Sequence, residues 1–74
     1  MNAAFVLINA ELGTDIVDDL KAIPEVKQVY GVYGVYDYVV RLEADTMEEL
    51  KDIVTNQIRR LKNVKSTLTM IVMD

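Results

Sequence analysis

Cysteine, histidine and tryptophan are all absent from this 74-residue chain, and proline occurs once. Without Cys or His there are no disulfides, no thiolate zinc sites and no imidazole metal sites. The usual nucleophile–base triads are excluded as well. Ser66 is the only serine, and a strand or turn role suits it best. Asp and Glu remain as ligands for a hard cation, but no calcium-loop pattern of spaced aspartates around a glycine is present. "ELGTDI" lacks the glycine spacing and the lysine of a phosphate-binding loop. No metal or cofactor is expected.

Basic residues are also scarce: eight, against twelve acidic ones, for a net charge of −4. Binding to a phosphate backbone needs clustered Lys and Arg. The densest group, "RRLKNVK" at 59–65, falls at a helix end, where cations complement the helix dipole. No direct nucleic-acid contact is expected. The pairs Asp18-Asp19 and Glu48-Glu49 read as solvated helix faces. Long hydrophobic runs are missing too. "AAFVLINA" has no basic segment before it and is far shorter than the roughly 20 residues that span a bilayer. A soluble, cytoplasmic protein with no membrane contact is expected.

What the chain does have is apolar content, 51% of its residues. A chain this short buries only about 60% of its unfolded surface and forms a marginal core alone. With disulfides and imidazole or thiolate metal sites excluded, oligomerisation is the remaining support.

Residues 3–10 read as a strand, apolar on both faces through Phe5 and Leu7 and through Val6 and Ile8. Thr14 is the expected N-cap of a helix carrying Ile16, Val17, Leu20 and Ile23 at helical spacing, closed by Pro24. Strands are expected at 26–32 and 36–43, joined by a tight connection at 33–35 in which Gly34 supplies the permissive backbone. "DTME" places Asp45 at the N-cap and Glu48 at N3 of a second helix, with Met47, Leu50, Ile53, Val54, Ile58 and Leu61 on its apolar stripe. Asn63 is expected in the left-handed region after that helix. The last strand is expected at 64–73.

The order is β-α-β-β-α-β in one domain, 1–74. Two helices cover one face of a four-stranded antiparallel sheet, and the right-handed crossover rule favours an α+β, ferredoxin-like fold. The uncovered face, apolar at Leu68, Met70 and Val72 or at Ile71 and Met73, is expected to pack against a second sheet in a dimer. Within this fold, a copper chaperone would need a CxxC, and an RNA-recognition domain would need basic and aromatic residues along its central strands. Neither pattern is present.

"YGVYGVYDY" at 30–38 holds all four tyrosines and a lone carboxylate. Asp37 in this apolar setting has two readings. It is solvated or bonded to backbone N–H groups near the turn, or it recognises a ligand amine beside the Gly34 backbone. Thr67 and Thr69 share one parity of the last strand and offer hydroxyls to a ligand carboxylate.

"IPEVKQVYGVYGVYDYVVRLEA", then a helix, then "LKNVKSTLTMIV" resembles the RAM domain, the C-terminal effector domain of leucine-responsive and asparagine-responsive (Lrp/AsnC) regulators. The specific elements are Gly34-Val35-Tyr36-Asp37-Tyr38 and the Val64…Thr67-x-Thr69 pattern. The resemblance spans essentially the whole chain. It implies sheet-to-sheet dimers, dimers joined into rings that are commonly octameric, and an amino-acid effector between dimers. It carries over Gly34, Tyr36, Asp37 and Tyr38, then Thr67 and Thr69, as candidate effector contacts. The helix-turn-helix of the full regulators does not precede the first strand. A stand-alone, non-enzymatic sensor that co-assembles with a full-length regulator is therefore expected. The alternatives are a small dimeric α+β barrel enzyme, for which Arg41 is the one basic residue on the central strands, and a ligand-free structural subunit. The ACT domain shares the element order and the ligand class.

Overall fold

A computed structural model describes residues 1–73. The strands are β1 (Asn2–Ala10), β2 (Val26–Gly31), β3 (Tyr38–Ala44) and β4 (Val64–Ile71). The helices are α1 (Val17–Lys21) and α2 (Met47–Ile53), and a π turn (Val54–Ile58) continues α2. The sheet order is β2-β3-β1-β4, with every neighbouring pair antiparallel. This is the ferredoxin-like α+β architecture expected from the element order.

Side chains alternate across a strand, so the register sorts them by face. Ala4, Val6 and Ile8 of β1 stand opposite Leu42, Val40 and Tyr38 of β3, and opposite Ile71, Thr69 and Thr67 of β4. That face meets the helices. Ala4, Val6, Ile8, Val40 and Leu42 are fully buried there, together with Ile16, Leu20, Leu50 and Ile58 from the helical side. Of the apolar spacing read in the sequence, Ile16, Leu20, Ile23, Leu50, Ile53, Val54 and Ile58 reach this core, whereas Val17 is half-buried and Met47 is exposed.

The opposite face carries Phe5 and Leu7 of β1, Val39 and Arg41 of β3, and Leu68 and Met70 of β4, paired across the strands. No helix covers it. Leu68 and Met70 are about half exposed, at 49% and 48%. Arg41 shares this face with Glu43, two residues along, and the two form an ion pair. The central-strand arginine is thus matched by a carboxylate of its own strand.

Local capping differs from the sequence expectation in three places. The helix before Pro24 begins at Val17 rather than just after Thr14. The Thr14 hydroxyl turns back to donate to the Glu11 carbonyl at 2.6 Å, and the Asp15 carboxylate accepts the Val17 N–H at 3.0 Å. Thr competes for nearby backbone groups in this way. At α2 the N-cap is Thr46, not Asp45: its hydroxyl accepts the Glu49 N–H at 3.1 Å. "TMEE" satisfies the same spacing as "DTME", one residue later. Asn63 does not adopt a left-handed backbone, since only Gly13 and Gly34 have positive φ among the described residues. The π turn replaces the expected helix end, and the Asn63 carbonyl accepts the Glu11 N–H at 2.8 Å.

The strand limits also move. β3 begins at Tyr38 rather than 36, so the β2–β3 connection spans 32–37 and is no tight hairpin. β4 ends at Ile71 rather than 73.

Candidate functional site

Two loops meet at one end of the sheet. The first, 11–16, leaves β1. The second, 32–37, joins β2 to β3. Between them lies an open cleft of about 440 Å³, lined by Glu11, Leu12, Gly13 and Thr14 of the first loop and by Val32, Tyr33 and Asp37 of the second, with Ala10, Gly31 and Tyr38 at the strand ends.

The backbone shapes both loops. Gly13 has φ 78° and Gly34 has φ 125°, a region that residues with a Cβ rarely occupy. Gly13 turns the chain sharply after β1, and Gly34 does the same within the β2–β3 loop.

Asp37 stitches the loops to the sheet. Its carboxylate Oδ2 accepts the Ala10 N–H at 2.8 Å, its own N–H donates to the Ile8 carbonyl at 2.9 Å, and its carbonyl accepts the Val32 N–H at 3.0 Å. The sequence allowed a carboxylate bonded to backbone near the turn. The structure supplies that donor from the end of β1, at a point where the β1–β4 register shifts between Asn9 and Ala10. The side chain remains exposed. Its second oxygen, Oδ1, has no hydrogen-bond partner among the described residues. One residue therefore braces the cleft wall and keeps one carboxylate oxygen unbonded among the described residues.

The other candidates divide. Tyr38 lines the cleft and is half-buried, packed against the core. Gly34 and Tyr36 lie on the same loop but outside the cleft lining. Thr67 and Thr69 lie on the helix-side face of β4 and line a separate hollow. That hollow and the cleft have no lining residue in common. Within one protomer the six candidates do not converge.

Sequence reasoning read Thr14 as a helix cap and found no phosphate-binding pattern in "ELGTDI", and it did not place the 11–14 loop at a site. Its signal was Gly13, three residues past the end of the strand. Leu12 and Tyr33, both cleft residues, are fully exposed, and Val35 beside them is 83% exposed. Apolar side chains projecting from both rims leave the cleft without a lid inside the protomer.

A ferredoxin-like sheet with one face bare of helices and an open cleft at its loop end defines a small α+β domain of the ligand-binding kind. Comparison with known proteins makes this specific. The model of the Lrp/AsnC ligand binding domain matches residues 3–74, and the chain belongs to that family. It is 33% identical over 72 residues to the HTH-type transcriptional regulator FL11 of Pyrococcus furiosus, covering 95% of this chain and 47% of the regulator. It is 43% identical over 60 residues to a homocitrate synthase of Sulfurisphaera tokodaii, covering 81% of this chain and 13% of the synthase. The chain thus spans less than half the length of these curated relatives. The crystal structure of FFRP-DM1 superposes with a TM-score of 0.94 at 39% identity, covering 99% of this chain and all of that one.

Proposed function

We propose that this domain, residues 1–74, senses an amino acid and uses it to set its own assembly, and that it modulates transcription by joining rings of full-length regulators of its family. It does so without contacting DNA and without catalysis, in the cytoplasm. The observation that carries this reading is Asp37. Oδ2 accepts the Ala10 N–H, and Oδ1 has no hydrogen-bond partner among the described residues, on a loop whose backbone bends at Gly34. An ammonium group pairs with that oxygen as a charge-assisted hydrogen bond.

The fully exposed Leu12 and Tyr33 supply the contact that a neighbouring dimer covers. That dimer closes the cleft over the ligand and contributes the side chains that read it, with Gly34, Tyr36 and Tyr38 on the near wall. The ligand then favours whichever ring contains the closed cleft, and the shift equals its differential affinity for the two assemblies. The bare sheet face, with Phe5, Leu7, Val39, Leu68 and Met70, forms the dimer. The partial match to a synthase fits the same reading: a ligand-binding unit attached to different effector machinery.

Calorimetry with each of the twenty amino acids tests the sensor. Saturable heat from one or a few is expected, weakened in Asp37→Ala, and silence from all twenty refutes the reading. Native mass spectrometry after mixing with a full-length regulator of this family tests co-assembly, with mixed rings as the expected species.

A further inference from the structure

The second hollow has a different chemistry from the cleft. It holds about 510 Å³ between the α2–π segment and the helix-side edge of β4. Val54 and Ile71 make it partly apolar, and Lys51, Thr55, Arg59, Thr67 and Thr69 surround them.

The π turn explains how two cations reach one hollow. Lys51, Thr55 and Arg59 follow at four-residue steps. In an α-helix each such step carries a side chain about 40° around the axis, so Arg59 would stand about 80° from Lys51. The chain leaves α geometry at Val54, and the Arg59 N–H donates to the Val54 carbonyl at 2.9 Å, an i→i+5 bond. The wider turn takes back part of that rotation, and all three side chains line the same space. Local π geometry occurs frequently at functional sites.

A smaller hollow of about 260 Å³ adjoins it. Arg59 and Thr67 line both, and the smaller one adds Lys65 and Ser66. Three cations and four hydroxyls thus line the combined space, and no carboxylate does. The whole chain, by contrast, carries −4. Among the described residues Lys51, Arg59 and Lys65 form no ion pair, and the hydroxyls of Thr55, Thr67 and Thr69 have no hydrogen-bond partner. Like charges gathered with no internal counter-ion raise a local positive potential that an anion relieves.

We propose that this double hollow binds a small dicarboxylate, one carboxylate between Lys51, Arg59 and the threonine hydroxyls, the other toward Lys65. Two adjoining hollows sharing one arginine fit two separated anionic groups better than a compact one. The acidic remainder of the surface repels a polyanion such as nucleic acid. The hollow lies on the helix side of the sheet, so pairing of the bare faces leaves it open. It is independent of the Asp37 cleft.

Amide chemical shifts of the wild-type protein report binding when it is titrated with succinate, L-glutamate, inorganic phosphate or L-leucine. Succinate and glutamate are expected to shift Thr67, Thr69 and Arg59, saturating in the millimolar range, and leucine is not. Arg59→Gln, an exposed position that leaves the core intact, is expected to weaken succinate roughly tenfold, the loss of one charge-assisted contact. Lys62→Gln controls for net charge and should change little. Phosphate binding as tightly as succinate, or shifts that survive in Arg59→Gln, overturns the dicarboxylate site. If succinate shifts nothing while an amino acid shifts the 32–37 loop, this proposal fails and the sensor reading stands.

Discussion

The carboxylate of Asp37 accepts the backbone N–H of Ala10 at 2.8 Å, joining the start of β3 to the last residue of β1. The bond satisfies a strand-end donor at the irregular step between Asn9 and Ala10. It also holds the carboxylate against the cleft wall.

That double duty predicts a graded series at this position. Asp37→Ala removes both the brace and the free acceptor, and should lower stability by about 1 kcal/mol in urea unfolding. Asp37→Asn keeps an oxygen for Ala10 but loses the charge. It should unfold near the wild-type midpoint while amino-acid binding falls as far as in the alanine variant. Equal stability of all three proteins would show that the bond contributes nothing net.

Glycine substitutions should separate backbone strain from crowding. A Cβ at Gly34 meets no atom within 4 Å, yet φ there is 125°. Gly34→Ala should therefore cost about 1–3 kcal/mol through the backbone alone. Gly31 lies in ordinary strand geometry with equally open space, so Gly31→Ala should be nearly neutral. Thermal melts of the two variants make the comparison.

At α2 the cap assignment is testable by a pair of changes. Thr46→Ala removes the oxygen that accepts the Glu49 N–H and should cost about 1 kcal/mol. Asp45→Ala leaves that bond intact and should stay within about 0.5 kcal/mol of wild type.

On the bare sheet face, Leu68→Glu with Met70→Lys places charges where a second sheet would pack. Both side chains are already half exposed in the protomer, so the fold should persist. Analytical ultracentrifugation is expected to show dimers or larger species for wild type and monomers for the double variant. A wild-type monomer at micromolar concentration would exclude the sheet-to-sheet dimer.

Much of the fold was legible because period and parity are strong signals. Ile16, Leu20 and Ile23 keep helical spacing, and all three are buried. The alternation in β1 separates its two faces correctly. What escaped were local contests between equivalent groups. Asp45 and Thr46 both stand three residues before a glutamate, and only the strand exit decides which of them caps. The π turn has no composition signal, and it takes the place of the left-handed Asn63. Of the stretch from Gly34 to Asp37, Asp37 alone lines the cleft. The facing loop was not legible as a cleft wall, because Leu12 and Gly13 meet Asp37 only when β1 and β3 lie side by side.

Thirteen core side chains are buried within the single chain, with the helices against one face of its sheet. A subunit leaving the proposed assembly would therefore keep its core intact. Exchange between rings should be limited by how fast interfaces separate, with no unfolding step in the way. Two populations mixed at low temperature should scramble on the timescale of dissociation, and denaturant should be unnecessary. In the proposed ring, such a domain would enter as readily as it leaves.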